Sequence, residues 1–299
     1  MKILLTAIAL AGASLAGVLH AQVTTLKKVQ DSGEIVMGVR ESSSPLSFTL
    51  GNNQFAGYHV DLCRTIIGEI SKTVGKTVNI KYTPVTSQNR IPLVQNGTVD
   101  IECGSTTNNA ARQKDVAFGL TTYVTEVRTA VKAKSGIASI AQLGNKTVAT
   151  TTGTTSVQTL RKHQRAQKVS FKELFGKDHA DSFLLLETGR ADAFVMDDNI
   201  LAGLIANAKV PKDFKIVGEV LSVEPIAVMI RRDDPGMKRL VDLTISNMMS
   251  SGALAKLYGK WFTSPIPPKN ANVNLPMGGT LKGLFANPND KPMESYTVK

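Results

Sequence analysis

Apolar and polar residues alternate with several different periods along the chain. Glu34–Val39 reads as a strand, its residues after Glu34 forming an apolar run of the kind buried inside a sheet. Over Tyr58–Val74 the period becomes helical, placing Val60, Cys63, Ile67, Ile70 and Val74 on one face. Residues 77–82 then predict a strand. Residues 87–96 predict a short helix capped by Ser87 and stopped by Gly97, and 98–102 another strand. The same grammar restarts with strands over 146–151, 169–173 and 191–196, and helices opening near Thr154 and over 178–188 and 199–208. Strand alternating with helix predicts an α/β protein with largely parallel sheets flanked by helices. A strand-like run at 226–230 and a helix after Asp234-Pro235 follow. The last predicted helix, 252–262, holds the single tryptophan, Trp261. The tail from Thr263, rich in proline, asparagine and glycine, is expected to wrap a surface.

Two segments echo each other, PLVQNGTVDIEC at 92–103 and LLLETGRADAFVM at 184–196. Each ends a helix at a glycine and restarts in a strand carrying an aspartate, Asp100 or Asp192. Each then delivers polar residues, Ser105 and Thr107 in the first and Asp197 and Asp198 in the second. Two lobes of similar design would produce this, and so would ordinary βα grammar.

The chain's N-terminus changes the picture of where such a protein works. Lys2, an apolar run over 3–18 and Ala21 at a cleavage position predict a cleaved signal peptide over 1–21, although Leu19 stands where a small residue is preferred. The mature protein is then expected outside the cytoplasm, in the periplasm, with no lipid-bearing cysteine at the cleavage point. Only Cys63 and Cys103 are present; they lack metal-site spacing, and the histidines are scattered, so neither metal nor cofactor is expected. The formal charge is +11, but the lysines are dispersed and only 5% of residues are aromatic. That argues against nucleic acid and for steering of small anions.

The candidate chemistry collects where strands end, the place where open α/β sheets bind ligands. Arg40 follows the first strand, and Ser105, Thr107 and Arg112 follow the strand at 98–102. Thr154 and Thr155 open a helix, whose free amides favour an anion, and Asp197 ends a strand of the second set. Taken singly, each is as readily a surface charge, a cap or a turn residue. Jointly, several cations and hydroxyls with few anions suit a small ligand with two carboxylates and one ammonium. No GxSxG or HExxH motif is present, and Glu41 and the Asp197-Asp198 pair are the acids an enzyme could use.

These residues sit in longer matching stretches: GVRESSSPLSF at 38–48, TSQNRIPLVQNGT at 86–98, ECGSTTNNAARQK at 102–114 and GTTS at 153–156. KDHADSF at 177–183, FVMDD at 194–198, KWF at 260–262 and SPIPPKN at 264–270 continue them. Over essentially the whole mature chain the sequence resembles the periplasmic solute-binding proteins of polar amino-acid ABC transporters, in their glutamate/aspartate-binding branch. The resemblance implies a type II periplasmic binding protein fold, two α/β lobes joined by two crossover strands. Lobe 1 would hold 22–124 and 221–299, and lobe 2 would hold 125–220. It implies a monomeric, non-enzymatic receptor that closes on L-glutamate or L-aspartate and hands it to a membrane permease. Arg112 would grip the α-carboxylate with Thr107 and Thr155, and Asp197 with Ser105 would accept the α-ammonium. Arg40, Ser87, Arg90 and His179 would surround the side-chain carboxylate. A binder of another dicarboxylate or an amide amino acid, or a cyclohexadienyl dehydratase-like enzyme on the same fold, are the alternatives. In the resembled branch the partner of Cys103 lies in the later crossover strand. Here EPIAVMIRR at 224–232 has no cysteine, which leaves both a Cys63–Cys103 bridge and two separate buried thiols open.

Overall fold

The structure, a computed structural model, describes residues 24–298; the expected signal peptide lies outside the described residues. Two five-stranded sheets organise the chain. The first runs, edge to edge, Asn79–Pro84, Glu34–Val39, Ile101–Glu102, Met229–Arg231 and Val116–Phe118. The second runs Lys172–Gly176, Thr147–Thr151, Ala193–Asp197, Tyr123–Lys132 and Phe214–Ile226. Each has a parallel trio followed by two antiparallel neighbours, so the expected largely parallel arrangement describes only part of each sheet. The sequence echo has a structural counterpart. Asp100 accepts the amide of Val36 at 2.9 Å and Asp192 that of Thr147 at 2.8 Å, each carboxylate tying the start of the neighbouring parallel strand. These two aspartates brace sheets.

The chain passes between sheets on Tyr123–Lys132 and returns on Phe214–Ile226, and these long strands pair antiparallel from Tyr123↔Ile226 to Lys132↔Phe214. A small antiparallel sheet, Ser42–Ser43, Ser47–Gly51 and Gln54–Ala56, follows the first strand. The helix Tyr58–Val74 keeps the predicted bounds and buries Val60, Cys63, Ile67 and Ile70, and Gly75 ends it in the left-handed conformation with φ 74°. That cap shifts the next strand from the expected 77–82 to Asn79–Pro84, because Lys76 and Val78 turn back to bond Ser71. Similarly, Lys168 caps its helix at φ 53° and Val169 and Phe171 pack into the second lobe's core, so the strand expected at 169–173 begins at Lys172. The helix expected from Ser87 begins at Arg90, and Asn89 takes the cap position.

Tyr123, Tyr258 and Phe262 stack where the crossover strands leave the first sheet, with the Tyr123 and Phe262 centroids 4.7 Å apart, and Tyr58 meets Tyr258 and Phe262 edge-on. Among the described residues the tail does run over a surface. Asn289 O accepts the amide of Thr121, and Asn108 O accepts that of Met293, both at 2.9 Å. It includes a helix, Gly279–Ala286, that the pattern did not announce. Cys63 and Cys103 form a disulfide, with their Cα atoms 6.3 Å apart, which resolves the open pairing. It ties the Tyr58–Val74 helix to the end of the third strand, immediately before the polar run at 105–109. With the cysteines 40 positions apart, chain-entropy arguments give about 3–4 kcal/mol of stabilisation. Reduction is therefore expected to lower the unfolding free energy by about 2–4 kcal/mol in denaturant titrations; an unchanged midpoint would show that the bridge contributes nothing.

Candidate functional site

The stretch Ser105 to Asn109 is polar and buried throughout, and its side chains divide by task. Thr106 donates to Glu102 at 2.7 Å, Asn108 to the Asp290 carbonyl at 2.8 Å, and Asn109 accepts the Arg112 amide at 2.8 Å. These satisfy a buried loop. Ser105 and Thr107 belong instead to the seam between the lobes. Ser105 accepts from Arg40 at 3.3 Å, and the Thr107 and Thr155 hydroxyls lie 3.4 Å apart across that seam.

Arg40 is fully buried where the first strand ends. Its guanidinium meets Asp178 of the other lobe at 2.5 Å and His179 Nε2 at 3.3 Å. Asp178 also accepts from Ser42 at 2.7 Å, so this contact latches lobe to lobe. Burial raises the Asp178 carboxyl, but Arg40, His179 and the Ser42 bond outweigh it and hold the group down at about 2. Burial, with Arg40 second, lowers His179 to about 3, which keeps the ring neutral. Arg40 is thus a cation already matched with an anion.

Arg90 is different. It is buried at the start of its helix, and neither Nε nor Nη1 has a hydrogen-bond partner among the described residues. The Ser87 hydroxyl beside it is likewise buried and unpartnered, free of the capping role the sequence suggested. Burial, followed by repulsion from Arg112, pushes Arg90 well below the usual guanidinium range, while Glu102 pulls the other way. Arg112 lies at the seam, its guanidinium donating to the Thr107 carbonyl at 2.9 Å and the Gly153 carbonyl at 3.4 Å.

Opposite these cations, the Asp197 carboxylate is buried and makes no hydrogen bond among the described residues. Burial, reinforced by Glu224 and Asp198, pushes it well above the usual carboxylate range. The neighbouring Asp198 has the structural task, accepting from Thr125 at 2.7 Å and from the Asn199 amide at 2.7 Å. Glu41, the other acid considered, is exposed. One site residue was missed in the sequence. Glu224, fully buried on the returning crossover strand, accepts the hydroxyls of Thr107 at 2.7 Å and Thr155 at 2.6 Å. Nothing in EPIAVMIRR marks it, because its partners are brought together only by the hinge. The structure thus gathers Arg40, Ser87, Arg90, Ser105, Thr107, Arg112, Thr155, His179 and Asp197 along one interlobe seam, where a cavity of about 450 Å³ opens beside Ser87, Arg112 and Thr155.

Residues 35–264 match the family model of bacterial extracellular solute-binding proteins, family 3. The chain belongs to that family. It is 46% identical over 271 residues to the glutamate/aspartate import solute-binding protein of Escherichia coli K12, covering 90% of each chain. Among solved structures, the P235GK mutant of ArgBP from T. maritima superposes with a TM-score of 0.71 at 25% identity, over 80% of this chain and 99% of that one. The ancestral amino acid-binding protein AncCDT-1, a precursor of cyclohexadienyl dehydratase, gives 0.68 at 27% identity, over 80% and 99%. The paired sheets and crossover strands are the type II periplasmic binding protein fold. Among the described residues no helix is long and apolar enough to cross a membrane.

Two predictions follow from the packing and the charges. Gly203 packs its helix against the other lobe, and a Cβ there would meet the Ser44 backbone, with the carbonyl carbon at 2.8 Å. Ala suits a helix better than Gly, so Gly203→Ala should fold normally yet oppose closure, weakening ligand affinity by about tenfold in calorimetry. Unaltered affinity would mean that the lobes do not need this approach. Secondly, His179 is held at about 3 and His59 at about 4, both chiefly by burial. Both rings are expected to stay neutral in NMR titrations from pH 8 to 5, and a midpoint near the ordinary histidine value would contradict the burial. Depressed values mean that the unfolded chain takes up protons first. Their contribution to stability is therefore complete above about pH 6.5 and is lost as pH falls toward 4 and then 3.

Proposed function

We propose that this chain captures L-glutamate and L-aspartate between two lobes in the periplasm, as a monomer freed of residues 1–21, and delivers them to the membrane permease of an ABC transporter. Lobe 1 comprises 22–124 and 221–299, and lobe 2 comprises 125–220. The observation that carries the reading is the mismatch of charges at the seam: among the described residues Arg90 has two buried nitrogens without a partner, and the Asp197 carboxylate, in a residue 4% exposed, makes no hydrogen bond. An acidic amino acid answers both, bringing a carboxylate to one and an ammonium to the other. The name of the 46%-identical relative points to the same ligands.

In this reading Arg112 grips the α-carboxylate, turning from the Thr107 and Gly153 carbonyls it now meets, with amides at the start of the helix Thr155–Gln167. Asp197 and Ser105 receive the ammonium. Arg90 and Ser87 bind the side-chain carboxylate directly, and Arg40 and His179 form the wall behind it. Because Arg40 is matched by Asp178, the selection against amides falls on Arg90: glutamine would leave its charge unpaired in a closed, dry cleft.

One observation favours a second reading. A carboxyl raised like Asp197 could act as a general acid, and the likeness to a precursor of cyclohexadienyl dehydratase supplies a precedent for the fold. A ligand ammonium accounts for the same carboxyl without chemistry, and the cleft is more cationic than a ring-binding pocket requires. Incubation with prephenate or arogenate is expected to give no product.

The test is calorimetric titration of mature protein, refolded to strip carried ligand, with glutamate, aspartate, glutamine, asparagine, succinate and arginine. Only the two acidic amino acids should bind tightly, one to one. Tight succinate binding would remove Asp197 from its role, and silence from the whole panel would overturn the reading. Arg112→Ala should cost roughly 30-fold or more for every amino acid that binds, the usual penalty for truncating one side of a buried charge pair.

A further inference from the structure

The loop that carries Arg112 is fastened by the far end of the chain. Arg112 opens a single 3-10 turn, Arg112–Lys114, too short to fix itself in place. Within the loop, Asn109 Oδ1 accepts the Arg112 amide and the Gln113 side chain donates to Asn108 Oδ1, both at 2.8 Å. Other groups of the loop turn to the C-terminal tail. The Asn108 carbonyl accepts the Met293 amide at 2.9 Å, and the Asn108 side chain donates to the Asp290 carbonyl at 2.8 Å. The Gln113 side chain reaches that same carbonyl at 3.5 Å. The Ala110 amide, just before Arg112, donates to Glu294 Oε2 at 3.1 Å. The tail therefore grips the chain on both sides of Arg112.

The tail is itself held to the body of the first lobe. Asn289 O accepts the Thr121 amide at 2.9 Å, and the Asp290 carboxylate pairs at 2.8 Å with Lys238, on the helix Pro235–Ser250. A guanidinium that meets a carboxylate as a fork depends on where its own backbone stands, so a turn that shifts takes the fork out of line. We propose that the C-terminal tail, through Asp290, Met293 and Glu294, is a positioning element of the ligand site: it fixes the turn at Arg112 and so aims the guanidinium at the ligand's α-carboxylate. The inference rests on the amino-acid ligand and the role of Arg112 proposed above. Among the described residues no hydrogen bond joins the tail to Arg40, Ser87, Arg90 or His179, so the other end of the ligand is bound independently of it.

The test is calorimetry on the full mature chain with L-glutamate, its α-amide isoglutamine and its γ-amide glutamine. The variants are Glu294→Ala, Glu294→Gln, and Glu294→Ala combined with Asn108→Asp, which keeps its shape but loses the donor to the Asp290 carbonyl. Melting curves check folding; Glu294 is exposed, so Glu294→Ala carries the test by itself if the double variant does not fold. Glu294→Ala is expected to weaken L-glutamate binding about threefold and the double variant about tenfold or more. Glu294→Gln keeps an oxygen for the Ala110 amide and should bind like wild type. The preference for L-glutamate over the α-amide should shrink by the same factors, while the preference over glutamine, which keeps its α-carboxylate, stays constant. Wild-type affinity in a folded double variant would overturn the inference. So would a loss that leaves the α-amide preference intact or erodes both preferences alike, as a merely structural tail would give. Wild-type titration separates the two claims: no binding of L-glutamate by wild type defeats the ligand reading, whereas wild-type binding with an unmoved α-amide preference in the variants defeats only the role of the tail.

Discussion

A buried cation that forms no ion pair among the described residues, Arg90, is the constraint on which this architecture turns. A charge removed from water costs several kcal/mol unless something replaces its hydration. Arg40 shows the ordinary solution, since Asp178 reaches it from the other lobe and Ser105 and His179 meet the same guanidinium, leaving its Nε without a partner among the described residues. Arg90, at the same seam, has no partner for Nε and Nη1 among the described residues. Two arginines that look alike in sequence therefore do different things. One meets an anion of the other lobe, and the other, in the function proposed, takes its anion from the ligand.

The hinge keeps these groups in register. Tyr123 and Phe262 stack where the strands cross, and Thr107 bridges to Ile226 on the returning strand. The disulfide fixes the residue just ahead of the polar run, and the C-terminal tail grips Asn108 within it. Ser105 and Thr107 thus emerge from a stretch anchored on several sides, while the partner groups Thr155, Asp178 and Asp197 arrive on the second lobe. In the function proposed, a site drawn from both lobes is complete only when they approach, which would couple closure to the ligand.

The residues whose task is local were the easiest to read from the sequence. The Tyr58–Val74 helix is specified by its own apolar face and Gly75, and both echoing segments proved to place an aspartate on a neighbouring strand's amide. Strand starts slipped by two or three residues where a left-handed cap consumed extra chain, as at Gly75 and Lys168. The long crossover strands escaped the reading of periodicity. The outgoing one alternates threonine with valine on its buried face, and the returning one is interrupted by a bulge between Val217 and Ser222. Glu224 escaped for a different reason. Its meaning depends on partners 117 and 69 residues away, and no local pattern carries that. The matching of Arg40 by Asp178 was hidden in the same way.

The central claim is that the unpaired charge of Arg90 decides which ligand the cleft accepts. Glutamate and glutamine differ only in whether they bring it an anion, so the ratio of their affinities, measured by calorimetry in wild type and in Arg90→Met, tests the claim most directly. Wild type should prefer glutamate by at least about 100-fold, the scale of an unpaired buried charge. In Arg90→Met that preference should shrink to a few-fold, because no buried cation remains to be matched. A variant that still binds and keeps the full preference would contradict the account and assign the selection to Arg40 or its neighbours.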